Sequence, residues 1–437
     1  MMQHVGAALL TAAVLAAPAA QAETPLNLSG QLNLGYRYYV DDGQYQGQAD
    51  AGFYPFVGFQ LNGGFDLGAG EVVFQFSGLN DDDNDRSVFS IQKAFYARAF
   101  DNWDLVVGYN VENWGVSNGR TIVNVLNAKD RANQVNSSNF IGTPMVNANI
   151  FTGVGTFSFY ALAGDVQDNF GGRATRQRGP FYTNEDFARY EDDNSIDLAL
   201  RFTNNYAIGN GSLDIGASIY HGTSRQALRL PGCITGERGV TAEVCEQFNR
   251  DVLAAYEAGA NIVDSAIAAG AGGITAFTPY YHEIRQVGLT AVYAQGNTRL
   301  QFEGFVREAA GETFGAAIVG GEQAFKNFLG GDGTMRVALE YHYDDRSDRQ
   351  PIVIFDDELF LGLNYAPNDT NDSKYEIGVF YDLEKASKVY SFAMSRRVGD
   401  RVRVAFKANH TTASNARDPL ATVNNNSWLQ LTVSTFF

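Results

Sequence analysis

Residues 427–437 run Ser-Trp-Leu-Gln-Leu-Thr-Val-Ser-Thr-Phe-Phe, with apolar and polar side chains in alternation. A strand has a period of two. Leu429, Leu431, Val433 and Phe437 therefore share one face, and Gln430, Thr432 and Ser434 share the other. One such strand constrains little. Many in succession require a sheet with an oily cover on one side and water on the other, which lipid outside and water inside a closed cylinder supply.

The pattern does recur. Arg401–His410 sets Val402, Val404, Phe406 and Ala408 against Arg401, Arg403, Lys407 and Asn409. Leu32, Leu34, Tyr36 and Tyr38 oppose Gln31, Asn33 and Arg37. Ile196, Leu198, Leu200 and Phe202 oppose Asp197, Arg201 and Thr203, and Leu213, Ile215, Ala217 and Ile219 follow the Gly209-Asn210-Gly211 turn. Leu300, Phe302, Gly304 and Val306 oppose Arg299, Gln301, Glu303 and Arg307. Met335, Val337, Leu339 and Tyr341 oppose Arg336, Glu340 and His342, and Tyr375, Ile377 and Val379 oppose Glu376 and Asp382. The expected fold is all-β: a transmembrane antiparallel β-barrel of about 18 strands. A count of 16 stays open, because alternation is weakest near 313–328 and 146–164.

Composition agrees with one barrel domain over residues 23–437. No linker-like shift divides the chain, and glycine (46) and phenylalanine (31) far outnumber proline (10). After residue 22 no run approaches the ~18–20 apolar residues of a membrane-spanning helix. Residues 1–22 read as a signal peptide. Val5–Ala20 is apolar, Ala20-Gln21-Ala22 fits a small-residue cleavage site, and Glu23 would begin the mature chain. The segment before Val5 lacks Lys and Arg, which departs from the usual pattern.

The formal net charge of -17 argues against a nucleic-acid partner. The acidity clusters in expected loops: Asp81, Asp82, Asp83 and Asp85; Glu185 and Asp186; Glu191, Asp192 and Asp193. Solvated loop surface is the favoured reading, with divalent cations near lipid headgroups as the alternative. The two cysteines, Cys233 and Cys245, share one long loop, and export to an oxidising compartment favours a disulfide. Two Cys without nearby His make no zinc site, so no metal and no cofactor are expected.

Short connections (Leu67–Gly70, Gly153–Gly155, Gln295–Asn297) alternate with long ones (Glu112–Met145, Asp165–Asn194, Ser224–Pro279). The long loop 224–280 has helical composition over 241–269. It can either fold into the lumen or cap the barrel from outside. Tyr36, Tyr38, Phe53, Phe100, Trp103, Tyr109 and Phe157 sit near strand ends and read as interfacial girdle rings.

The loop after residue 111 begins Glu112-Asn113-Trp114-Gly115-Val116-Ser117-Asn118-Gly119-Arg120 and continues through Asn127 and Asp130. Farther on come Leu339-Glu340-Tyr341 with Asp344-Asp345-Arg346, then Phe360-Leu361-Gly362-Leu363-Asn364-Tyr365 with Asn368-Asp369, then Ser395-Arg396-Arg397-Val398-Gly399-Asp400. In this order, over roughly 103–130 and 300–437, these motifs resemble those of a group of poorly characterised proteobacterial outer-membrane barrels. The terminal Phe437 is similar to the assembly signal of such barrels. The resemblance implies a porin-like barrel in the outer membrane of a Gram-negative bacterium, with lipid and, through Phe437, the barrel-assembly machinery as partners. It names no solute and does not extend to the Cys-containing loop. Porin-like barrels are often trimers, so a homo-trimer is an open expectation.

Two residue sets are candidates for function. Trp114 offers a flat face, with Glu112, Asn118, Arg120, Asn127 and Asp130 as hydrogen-bonding groups. The bland reading, that they pin the loop to the barrel wall, is favoured. The other set is the polar face of the strands: Arg37, Arg201, Arg299, Glu303, Arg307, Arg336, Glu340, Arg401, Arg403 and Lys407. Rings of charge set ion preference in pores, while internal salt bridging would use the same residues for stability. No His-Glu-x-x-His surrounds His221, His282, His342 or His410, so an enzyme is not expected. An energised receptor would need a plug ahead of Leu28. The expectation is a porin-like channel for passive or facilitated diffusion of small polar solutes or ions. The alternatives are a non-transporting adhesin or structural barrel and, more remotely, a barrel hydrolase.

Overall fold

The computed structural model describes residues 26–81, 85–132, 139–192, 196–236, 239–270, 274–415 and 418–437. The expected leader 1–22 lies outside them, as do Asp82, Asp83 and Asp193 of the acidic runs. The first strands are β1 (Asn27–Tyr39), β2 (Gly52–Leu67), β3 (Gly70–Asn80), β4 (Val88–Ala99), β5 (Trp103–Asn110), β6 (Thr143–Thr152) and β7 (Gly155–Ala163). After a short β8 (Arg189–Tyr190) come β9 (Ile196–Ile208) and β10 (Gly211–Thr223), then the short β11 (Leu228–Gly232) and β12 (Ala276–Tyr281). The series ends with β13 (Glu283–Gln295), β14 (Thr298–Ala309), β15 (Glu312–Lys326), β16 (Thr334–Asp344), β17 (Asp357–Ala366), β18 (Lys374–Asp382), β19 (Lys388–Val398), β20 (Val402–Thr412) and β21 (Trp428–Phe436).

All but β8, β11 and β12 join one 18-stranded sheet. Each strand pairs antiparallel with its chain neighbour, and β1 pairs with both β2 and β21, so the sheet closes into a barrel. Closure removes the sheet edges and satisfies the backbone ladder all the way round. At the seam Phe437 and Gly30 exchange backbone bonds of 3.0 and 3.1 Å. The Phe437 ring lies where a Cβ on Gly30 would be, 2.5 Å away, so only glycine fits there. The doubtful segments 146–164 and 313–328 are strands, as β6, β7 and β15, which settles the count at 18 rather than 16.

The turns follow local chemistry. Gly209-Asn210 and Gly296-Asn297 make two-residue hairpins, with φ of +59° at Gly209 and +61° at Gly296. A left-handed residue is what such a turn demands, and glycine supplies it without steric cost. Most long connections gather at the opposite end, where Ala310-Gly311 between β14 and β15 and residues 383–387 between β18 and β19 are the short ones.

Leu198, Ile219, Val287, Leu300, Leu339, Leu361 and Leu431 point outward and remain exposed, as do their neighbours around the cylinder. The seven girdle rings also sit on outward-facing positions, and Phe100 stacks on Trp103 at 3.9 Å. The inner face carries the polar set.

The helical part of the long loop is two helices, Ala242–Glu257 and Ile262–Ala268. They pack on the β11–β12 sheet, and Cys233 is bonded to Cys245 with their Cα atoms 5.1 Å apart. Leu228, Leu230, Phe248, Val252, Tyr256 and Tyr280 form a core made only of loop residues. The segment builds its own domain-like cap. Loop 111–142 packs on inward-facing strand residues, and Phe355 of the β16–β17 connection also packs on Phe360 and Phe380. His282 lies between β12 and β13, bonded to Tyr256 and Glu191.

Candidate functional site

The lumen is shaped by what loop 111–142 does after leaving β5. Its neck is tied by one amide. Asn127 Nδ2 donates to Asn110 O (2.9 Å), Ile141 O (3.1 Å) and Thr143 Oγ1 (3.2 Å), and Asn127 Oδ1 accepts from the Glu112 N–H (2.8 Å). Asn110 Nδ2 donates to Glu112 Oε1 (2.8 Å), and burial pushes that carboxyl above the usual range. Asp130 Oδ1 accepts from Asn169 Nδ2 (2.9 Å), which links this loop to the next.

From the neck the chain crosses to the β13–β16 wall, where two carboxylates receive it. Glu303 accepts from the N–H groups of Val116 (2.6 Å), Ser117 (3.2 Å) and Ile122 (2.5 Å). Glu340 accepts from those of Asn118 (2.5 Å) and Gly119 (3.0 Å), and His342 Nε2 lies 3.0 Å away. Glu303 is 0% exposed and Glu340 1%. A buried carboxylate is costly unless its oxygens are bonded, and unpaired loop N–H groups are costly too, so each set satisfies the other. Arg299 donates to Val116 O (2.6 Å), Arg201 to Trp114 O (3.3 Å) and Gln286 to Val123 O (3.0 Å).

Apolar packing reinforces the clamp. Trp114, Ile122, Val123, Val125 and Leu126 of the loop are buried with Met145, Tyr160, Tyr220, Phe305 and Ile318 of the wall. Trp114 is 2% exposed, edge-on to Tyr160 and 5.2 Å from the Arg201 guanidinium carbon, so its faces are used up by protein. Gly119 is required by closeness: an added Cβ would lie 2.9 Å from the Phe360 ring and 3.1 Å from Glu340 Oε2.

The opposite wall differs. Inward positions on β1 to β4 and β19 to β21 carry Asn33, Gln60, Asn62, Gln75, Lys93, Lys407, Asn409, Gln430 and Thr432, all at least partly exposed. They bond mostly to one another: Gln60 to Asn62 (3.0 Å), Gln75 to Gln92 (2.5 Å) and Gln430 to Thr432 (3.2 Å). Sequence reading passed over these amides in favour of charges. Their recurrence at inward positions of β1, β2, β3, β20 and β21 was the available signal.

The polar-face set therefore divides. Arg201, Arg299, Glu303 and Glu340 hold the loop. Arg37 is buried, bonded to Gln430 and 4.0 Å from the Trp428 ring. Arg307 is buried on Gln286 and Gln226. Arg336 pairs with Glu322 at 3.6 Å, and Arg403 with Asp372 at 2.6 Å. Lys407 faces inward and is exposed, with no ion-pair partner among the described residues. Arg401 departs from expectation: it lies in the β19–β20 turn, one residue before the strand, and its carbonyl accepts from the Phe436 N–H. Of the loop set, Arg120 donates to His342 Nδ1 (3.2 Å) and to Phe355 O, and Asn118 acts through its backbone.

Asp356, Glu358 and Asp382 bring carboxylate oxygens within 4.8 Å of one another at the long-loop end. Lys385 Nζ already sits 2.7 and 2.9 Å from Asp356, in the place a cation would take.

No protein-family model matches the chain, and no curated protein matches it. Among solved structures, a mutant of the Rh. blastica porin is similar at 12% identity, over 94% of this chain and 100% of that one, with a TM-score of 0.40. A loop-deletion form of OmpT, an outer membrane protein of Vibrio cholerae, is similar at 7% identity over 95% of this chain and 99% of that one, with a TM-score of 0.41. A structure described under asymmetric conductivity of engineered proteins gives 11% identity over 94% and 100%, with a TM-score of 0.40. The barrel assignment rests on the strand pairing above, not on these likenesses.

Proposed function

We propose that the chain is a porin-like channel of a Gram-negative outer membrane, through which small polar solutes or ions diffuse. The observation that carries the proposal is the cylinder's two-sidedness. Its outer belt of exposed Leu, Ile, Val and aromatic side chains needs a hydrocarbon cover far larger than soluble proteins leave bare. Its inner face keeps amides and Lys407 in contact with water beside a clamped loop. Solutes would pass along the amide wall, while loop 111–142 narrows the path from the other side. Amides exchange hydrogen bonds with water or a polar solute at little net cost, so they suit passage better than tight binding. Residues 1–22 would be removed on export, leaving 23–437 as one barrel, and Phe437 would serve assembly.

Single-channel recording of the refolded protein in planar bilayers tests this reading. Discrete conductance steps with a reversal potential in a salt gradient are expected. A folded, inserted barrel that passes no current would favour an adhesin or structural role.

The hydrolase alternative has one contact to its name. His410 Nδ1, on β20, lies 2.8 Å from Ser427 Oγ, just before β21 and only 17 residues away in the chain. The other His410 nitrogen has no hydrogen-bond partner among the described residues, so nothing orients the ring as a base for Ser427. Labelling of Ser427 by a serine-directed phosphonate would revive that class.

A further inference from the structure

Behind loop 111–142, toward the long-loop end, lies a partly enclosed polar cavity of about 100 Å³. One water needs roughly 10–15 Å³ of such space, so the cavity has room for several waters or one small hydrated anion. Six cationic side chains line it: Arg120, Lys129, Arg131, Arg225, Arg307 and Arg346. No Asp or Glu is among its described lining residues. This local excess stands inside a chain whose formal charge is -17.

Half of the cations are balanced from behind. Arg131 pairs with Asp168, Arg225 with Asp197 at 2.7 Å, and Arg346 with Asp344 at 2.6 Å. Arg120, Lys129 and Arg307 have no carboxylate at ion-pair distance among the described residues. Arg120 reaches His342 and a carbonyl, Lys129 sits 5.2 Å from the Phe140 ring centre, and Arg307 bonds only to Gln286 and Gln226. The nearby Glu303 has both oxygens occupied by loop N–H groups.

The most telling contact is at Gln226. Its Oε1 accepts from Arg307 Nη1 and from Arg346 Nη1, each at 3.2 Å. Two guanidiniums converge on one neutral oxygen, where a negative group would be strongly favoured. Guanidinium forks match the paired oxygens of phosphate and related oxyanions.

We propose that this cavity is a binding site for a small oxyanion of the phosphate or sulfate class. The proposal rests on the channel reading and deepens it, because it gives an anionic solute a resting place beside the path. Loop 111–142 supplies Arg120, Lys129 and Arg131, so the clamp that narrows the lumen also builds the site. The expected order of binding is phosphate and sulfate over chloride, since only the oxyanions offer several acceptors to convergent forks.

The test uses the full-length barrel refolded in detergent and titrated with inorganic phosphate at constant ionic strength, followed by calorimetry. Saturable binding is expected, weakened roughly ten-fold or more in Arg307→Gln and in Lys129→Gln. Lys129→Gln guards against misfolding, because backbone bonds hold that loop position and its side chain forms no ion pair. Loss of binding in either folded variant supports the site. Absence of saturable phosphate binding, or binding unchanged in both variants, overturns it. Bilayer recordings keep the two readings apart. A conducting barrel that binds no phosphate sinks the site and leaves the channel. A phosphate-binding barrel that passes no current sinks the channel and leaves the site.

Discussion

On β13, β14 and β16 the inward side chains Gln286, Arg299, Glu303 and Glu340 are spent on the backbone of loop 111–142. On β2, β3, β20 and β21 the corresponding positions hold Gln60, Asn62, Gln75, Lys407 and Gln430, which keep contact with water. The first wall is charged and sealed, and the second is mostly neutral and open. A charged residue facing the lumen is thus no mark of the solute path. In the sealed wall, charge is what makes burial of an irregular loop affordable in hydrogen-bond terms. In the open wall, amides suffice because water does the rest.

The sharpest way to break this contrast is Glu303→Ala. It strands the N–H groups of Val116, Ser117 and Ile122, each worth about 1–3 kcal/mol when left unpaired in a buried place. The folded barrel is expected to lose roughly 3 kcal/mol or more in a denaturant midpoint assay, and conductance should rise as the loop swings off the wall. Unchanged conductance would mean that the loop does not narrow the path.

Cys233→Ser serves as a control outside both walls. Opening a cross-link of sequence separation 12 should cost the cap about 3 kcal/mol. The cost should appear as faster proteolysis within 228–281, with channel currents kept. A collapse of the barrel would show that cap and wall are one cooperative unit.

A pH effect of intermediate size is expected in the outer loops. Burial raises the Glu185 carboxyl from its ordinary 4.5 to about 7. The native state then holds this proton more tightly than the unfolded chain does. The contribution is therefore greatest below pH 4.5 and is lost as pH rises through 7. Hydrogen exchange across 165–192, corrected for intrinsic rate, should be several-fold slower on the acidic side of that window. The lumen walls should not follow it.

The smallest effect on stability belongs to the open wall. Lys407→Glu should move the midpoint by no more than about 0.5 kcal/mol, because the side chain is exposed and unpaired. It should nevertheless shift the reversal potential toward cations. The same measurement on Arg299→Glu should show mainly a stability loss, and equal behaviour of the two variants would erase the distinction between the walls.

Particular residues show what was readable. Leu431 and Val433 against Gln430 and Thr432, or Leu339 and Tyr341 against Glu340 and His342, could be assigned to outside and inside from order alone. Arg401 could not: its parity matched the inward set, but the turn before β20 takes it out of the strand. For Trp114 the order of residues favours a pin over an open platform, and its burial against Tyr160 and Arg201 fits the pin.

The chain order by itself determined the barrel, its eighteen strands within two, its inner and outer faces and its cysteine pair, because side-chain period, turn chemistry and pairing of neighbours are local. Only the tertiary structure decided which loop enters the lumen and which charges it consumes. Glu303 meets Val116 across 187 residues and Glu340 meets Asn118 across 222. Nothing in either segment encodes the other. Their meeting follows from closure of the cylinder, which leaves a buried wall with carboxylates to satisfy and a loop with N–H groups to offer.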